Sequence, residues 1–130
     1  VENCRKNDSA LHLLGLLSDG GVHSHNAHLW ALLAFAKENG LKKVYVHGLL
    51  DGRDVPPTSG VDYVKECLQK LEEIGVGTLA TLAGRYYGMD RDTQWGRVQL
   101  AYDAVVKGRG QQSDDPVSAV EISYQTKDED

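Results

Sequence analysis

The feature that most constrains this chain is a pattern that repeats although the residues do not. Three short apolar runs, at 11–17, 43–50 and 76–82, each stop abruptly at a loop of glycine and charge. After each loop, apolar residues return at the three-and-four spacing of a single helix face. The unit recurs about every 30 residues. Strand–helix units in succession imply parallel strands joined by right-handed crossovers, with helices covering the sheet. The expected fold is therefore α/β: a three-layer sandwich with a mainly parallel sheet built from successive βα units. No self-similarity accompanies the period, which excludes a solenoid.

Leu11-His12-Leu13-Leu14-Gly15-Leu16-Leu17 reads as a first strand buried on both faces. A helix is predicted from about Ser24 to Asn39, with Leu29, Leu32, Leu33 and Ala36 inward and Asn39-Gly40 as its stop. The second strand covers 43–50. Ser59-Gly60-Val61-Asp62 resembles a capped start, after which Val61, Val64, Leu68 and Leu71 line one face as far as Gly75. The third strand covers 76–82. Asp92 or Thr93 opens a helix with Trp95, Val98, Tyr102 and Val105 inward, closed by Lys107-Gly108. Asp115-Pro116 is an N-cap with proline at the first helical position, leading a last helix to about Tyr124. Residues 1–10 are polar and without clear periodicity, so they read as the end of an earlier helix or a frayed lead-in, and 125–130 read as a frayed tail.

With 130 residues, 41% of them apolar, the chain can bury one core without a metal or disulfide to staple it. Cys4 and Cys67 lie far apart with no Cys-x-x-Cys spacing, and no signal-peptide pattern opens the sequence. These features point to a reducing, cytoplasmic setting. The net charge of −5 argues against nucleic acid and anionic membrane as partners. It does not argue against a small anion held by a few focused arginines.

Such arginines are present. In a parallel sheet the three loops would meet at the carboxyl ends of the strands, where open α/β sheets bind ligands. They are Ser18-Asp19-Gly20-Gly21-Val22-His23-Ser24-His25, Asp51-Gly52-Arg53-Asp54-Val55-Pro56-Pro57 and Gly84-Arg85-Tyr86-Tyr87-Gly88-Met89-Asp90-Arg91-Asp92. Arg53, Arg85 and Arg91 would then converge with His23. A guanidinium presents a planar fork of donors matched to carboxylate or phosphate oxygens. The competing reading pairs each arginine with Asp51, Asp54, Asp90 or Asp92. Asp54, beside an arginine, would stay ionised and suit accepting a hydrogen bond or proton from a substrate hydroxyl. Asp51 before Gly52 better fits a turn carboxylate bonding the backbone two residues on. Gly20-Gly21 could turn backbone N–H groups toward an anion. His23, His25 and His28 form a weak metal pattern; His25 and His28 fit better as helix caps or packing residues. Tyr86, Tyr87 and Met89 read as packing over the sheet edge, and Trp30 and Trp95 as helix-face packing.

Taken together, L-L-S-D-G-G-V-H-S-H, H-G-L-L-D-G-R-D-V-P-P and A-G-R-Y-Y-G-M-D-R-D resemble the cofactor-independent phosphoglycerate mutases over Leu13 to Tyr124. The resemblance implies an isomerase of glycolysis and gluconeogenesis, an intramolecular phosphotransferase interconverting 3- and 2-phosphoglycerate through a phosphoserine, with no 2,3-bisphosphoglycerate required. It further implies two domains. A phosphatase-like domain carries the serine and a pair of manganese ions, and a phosphotransferase domain inserted into it grips the glycerate. Residues 1–130 match only that inserted domain, incompletely; no Asn-Ser-Glu-x-Gly-His motif or metal-ligand segment is found. By motif, His23, Arg53, Asp54, Arg85 and Arg91 take the substrate-binding positions. Asp54 takes the catalytic one, and no metal is held by this chain. The partners implied are phosphoglycerate and the phosphatase-like domain. The alternatives are an anion-binding or interaction module without activity and, more distantly, a metal hydrolase built on the histidines.

Overall fold

The computed structural model describes residues 1–126. The elements run α1 (Glu2–Asn7), β1 (Leu11–Leu16), α2 (Asn26–Glu38), β2 (Val44–Leu50), α3 (Gly60–Ile74), β3 (Thr78–Gly84), α4 (Arg85–Gly88), α5 (Trp95–Lys107) and α6 (Pro116–Gln125). The three strands form one sheet in the order β1-β2-β3, and both pairings are parallel. Successive βα units thus build an α/β parallel sheet with helices on its two sides, as the periodicity requires.

The core lies on one face. Val44 and Val46 of β2 meet Leu33 and Ala36 of α2, Val64, Cys67 and Leu71 of α3, and Val120 of α6, all buried. The Cys67 thiol is buried deeply enough that desolvation, helped by Glu66, pushes its pKa up to about 11. On the other face α4 lies against β2, so close that a Cβ at Gly88 would stand 2.6 Å from Leu49 Cδ2. Helix α5 packs against α4 and β3.

Several elements depart from the sequence reading. Residues 2–7 form a helix, ended by Asp8 in the left-handed region, although they show no apolar stripe. Strand β1 is packed along one side, and on the other only Leu16 at its end is buried. Leu11 and Leu13 reach the core, while Leu14 is 63% exposed, because no helix among the described residues lies over that face at this edge. Strand β3 starts and ends two residues later than predicted: Gly77 has φ +98°, outside the range of a strand, and the chain stays extended until Arg85. Ser59 is helical rather than extended, so its hydroxyl donates to Pro56 O instead of capping α3. Of the stripe expected inward on α5, only Val105 is half-buried. Trp95 is 72% exposed, and Tyr102, Leu100 and Val106 are exposed too, since α5 touches its neighbours with its other side. Leu32 of α2 is likewise exposed, whereas Trp30 packs against the core. Asp115 caps α6 as expected, accepting from Ser118 N at 3.2 Å. Residues 127–130 of the predicted tail lie outside the described residues.

A polar line crosses the less covered face. His12 Nδ1 and His47 Nε2 are 2.8 Å apart, and His47 Nδ1 lies 2.8 Å from Thr81 Oγ1, one residue from each strand. His12 also stacks on Tyr45 at 5.3 Å. One imidazole of the pair must donate and the other accept, so the pair cannot hold two charges. Burial and the neighbouring His12 lower the pKa of His47 below 6.5. Below pH 6.5 the unfolded chain therefore takes a proton that the folded one refuses. Stability should fall as pH drops from 7.5 to 5.5, and less steeply in His47→Asn; parallel urea-midpoint profiles for the two proteins would contradict this.

Asn26, at the first turn of α2, is buried with neither side-chain amide atom hydrogen-bonded among the described residues. Such groups cost about 1–3 kcal/mol each relative to an apolar side chain of similar shape. Asn26→Leu should raise the thermal midpoint; a lower midpoint would show that the amide is satisfied in solution.

Candidate functional site

The site is assembled at the carboxyl ends of the strands, and Asp51 holds it together. This residue directly follows β2 and is 7% exposed. Its Oδ2 accepts from Ser18 Oγ at 2.6 Å, out of the loop after β1. Its Oδ1 accepts from the backbone N–H groups of Arg53 at 3.2 Å and Asp54 at 3.0 Å, within its own loop. The same oxygen accepts from Arg85 Nη1 at 2.7 Å, at the end of β3. Burial alone would raise the Asp51 pKa, but the bonds from Ser18, the Asp54 N–H, Arg85 and the Arg53 N–H together hold it below its ordinary 3.8.

Arg85 opens α4 rather than lying in a loop, and it is shared between Asp51 and Asp54, whose Oδ2 it reaches at 2.9 Å. Burial works against the guanidinium charge, but the two carboxylates outweigh it and raise the pKa further. The first loop is pressed onto the second: a Cβ on Gly20 would stand 2.9 Å from Asp54 Cβ. A second clasp joins Tyr63 of α3 to Asp19 at 2.5 Å, which with burial pushes the phenol pKa up to about 12.

These contacts frame an open cavity of about 350 Å³ lined by His23, Arg53, Arg85, Arg91 and Arg97, with Asp51, Asp90 and Asp92. The sequence reading of the arginines divides here. Arg85 is paired with its aspartates. Among the described residues Arg53 and Arg91 form no ion pair, so their donors remain for an incoming anion. Asp54 reaches the cavity only through Arg85, while its Oδ1 has no hydrogen-bond partner among the described residues. The Gly20-Gly21 amides are spent internally, Gly21 N donating to Ser24 O and Gly20 N facing Ser18 Oγ. His25 caps α2 by accepting from Ala27 N at 3.0 Å. Two residues escaped the sequence reading. Ser18 gives no signal of its own, and Arg97 lies in the helix read only for its inward Trp95, Val98, Tyr102 and Val105; Asp90 stands before that helix, so no helical spacing links the pair.

The family model for the N-terminus of 2,3-bisphosphoglycerate-independent phosphoglycerate mutase matches residues 1–130. The chain belongs to that family. Relatives of the same description include one from Acetivibrio thermocellus, 61% identical over the whole chain and 25% of that protein. Another, from Clostridium tetani, is 57% identical over 95% of the chain and 24% of that protein. The chain superposes on a crystal structure of Leishmania mexicana phosphoglycerate mutase with a TM-score of 0.86 and 33% identity, covering 92% of this chain and 23% of that one. The chain thus spans about a quarter of the length of the curated relatives it matches.

For this mutase-family domain, the three loops depend on one buried carboxylate. Asp51→Ala strands half of the Arg85 pairing and should cost about 3 kcal/mol in urea unfolding. Asp51→Asn should keep the fold but flatten the acid limb. The wild type loses the Asp51 contribution as pH falls below 3.8 toward the lower folded-state pKa, whereas the amide has nothing to titrate. Equal acid limbs would dismiss the hub.

Proposed function

We propose that this domain grips the glycerate of 3- or 2-phosphoglycerate in a 2,3-bisphosphoglycerate-independent phosphoglycerate mutase. The chemistry comes from a phosphoserine on a phosphatase-like domain beyond these residues. The observation that carries the reading is the cavity in which Arg53 and Arg91, free of carboxylates, face His23. Two forks of donors and an imidazole suit a ligand with both a carboxylate and a phosphate, each held by charge-assisted hydrogen bonds. Family membership over the whole chain supports the same substrate.

In this reading Arg53, Arg91 and His23 fix the two anionic ends, and Arg85 is a backbone to the site rather than a free ligand. Asp54 keeps one oxygen on Arg85 and offers the other to the glycerate hydroxyl. From there it can orient that hydroxyl and take its proton as phosphate returns to it. A manganese pair does not fit this donor set. Among the described residues no three histidine, cysteine or acidic side chains form a metal-sized group, His25 is spent on a helix cap, and Asp51 and Asp54 are held by Arg85. The metals belong with the phosphatase-like domain, and no step through them involves these side chains. Among the described residues no helix is long and apolar enough to cross a membrane, and both cysteines are free thiols, which supports the cytoplasm as the working compartment.

In the full-length protein, Arg53→Ala and Asp54→Ala should each lower kcat/KM for 3-phosphoglycerate about 100-fold, the scale of one lost charge-assisted contact. Their circular dichroism should match the wild type. Near-normal kcat/KM in both variants would sink this assignment.

A further inference from the structure

Arg91 is an exposed side chain on a short loop, so something must hold that loop if the guanidinium is to meet an anion in one place. Asp90 does so from beneath. Its side chain is 1% exposed; Oδ2 accepts from Gln94 N at 2.9 Å, and Oδ1 accepts from Arg97 Nη1 at 3.2 Å. Between these anchors Thr93 takes φ 56°, a left-handed turn that brings the chain back into α5. Arg97 in turn stands over the ring of Tyr86, with Cζ 3.9 Å from the centroid. Tyr86 follows Arg85 in α4 and meets Tyr87 edge-on at 5.2 Å.

We infer that Arg97 is a positioning residue for the anion site. Its Nη1 holds Asp90 and so fixes the turn that carries Arg91, while its contact with the Tyr86 ring ties that turn to the helix that begins with Arg85. The inference rests on the substrate reading above and adds a residue to which that reading gives no role. Arginine suits the place because one planar group can bond a carboxylate in its plane and lie on an aromatic ring through its face. A lysine keeps the charge but has no plane to lay on the ring. Arg97 Nη1 is spent on Asp90 at the base of the Arg91 turn, so in this inference Arg97 acts through Arg91 and the two should behave as a unit.

The test is a double-mutant cycle on the full-length protein, with KM and kcat for 3-phosphoglycerate as readouts. Arg91→Ala and Arg97→Ala should each raise KM about 10-fold or more, and the double variant should be little worse than either single one. Asp90→Asn should reproduce part of the Arg97→Ala effect, and Arg97→Lys should not restore KM. Arg97→Ala combined with Arg53→Ala should instead multiply, because Arg53 stands on another loop. Multiplying KM effects for Arg91 and Arg97, or an unchanged KM in Arg97→Ala, would overturn the inference while leaving the site assignment intact. An unchanged KM in Arg91→Ala would overturn both. Where Arg97→Ala fails to fold, Arg97→Lys carries the same cycle, and full activity in it would count against the stacked guanidinium.

Discussion

One buried carboxylate organises the functional end of this domain. The loops after β1, β2 and β3 have no hydrogen-bond ladder to align them, and each follows a strand that stops within a residue or two of the others. Asp51 supplies the missing link by accepting from all three: a hydroxyl from the first loop, two amides from its own and a guanidinium from the third. A charge at that depth would be unfavourable alone, but four donors converge on it, and the charge-assisted bonds are the strong ones. Mouth geometry and local stability are therefore the same property.

This arrangement gives the arginines different work. Arg85 is held by two carboxylates, so its charge is compensated before any ligand arrives. Arg53 and Arg91 bear the uncompensated charge. Pairing one arginine inward lets the others stand outward without crowding three like charges around an empty space. Asp54 sits at the boundary, with Oδ2 on Arg85 Nη1 at 2.9 Å and its other oxygen without a hydrogen-bond partner among the described residues.

The opposite side of the molecule is less complete. The core gathers on one face of the sheet, where α2, α3 and α6 interlock. The other face is covered near β2 and β3 by α4 and α5, leaving Leu14 and His12 exposed at the β1 edge while its partner His47 is buried. The outward stripe of α5, from Trp95 through Tyr102 to Val106, belongs to the same side. Helical periodicity reveals that a stripe exists, but it does not say which neighbour will bury it.

The sequence by itself determined the architecture and the edge of the sheet where the charged loops meet. Apolar runs broken by Gly-Asp-Arg loops at a regular spacing allow few arrangements other than parallel strands with crossovers, and in those the loops share one edge. Cap chemistry at Asp115-Pro116 and the turn role of Asp51 were equally legible, because both are local bonds between neighbours in the chain. The tertiary structure alone decided which charges cancel. That Arg85 is spent while Arg53 and Arg91 are not, that Ser18 reaches Asp51, and that Arg97 lies on Tyr86 all depend on distances between residues remote in sequence. Those distances follow from strand register and helix packing, which a pattern of residue types leaves open by several ångströms, more than the whole range of a hydrogen bond.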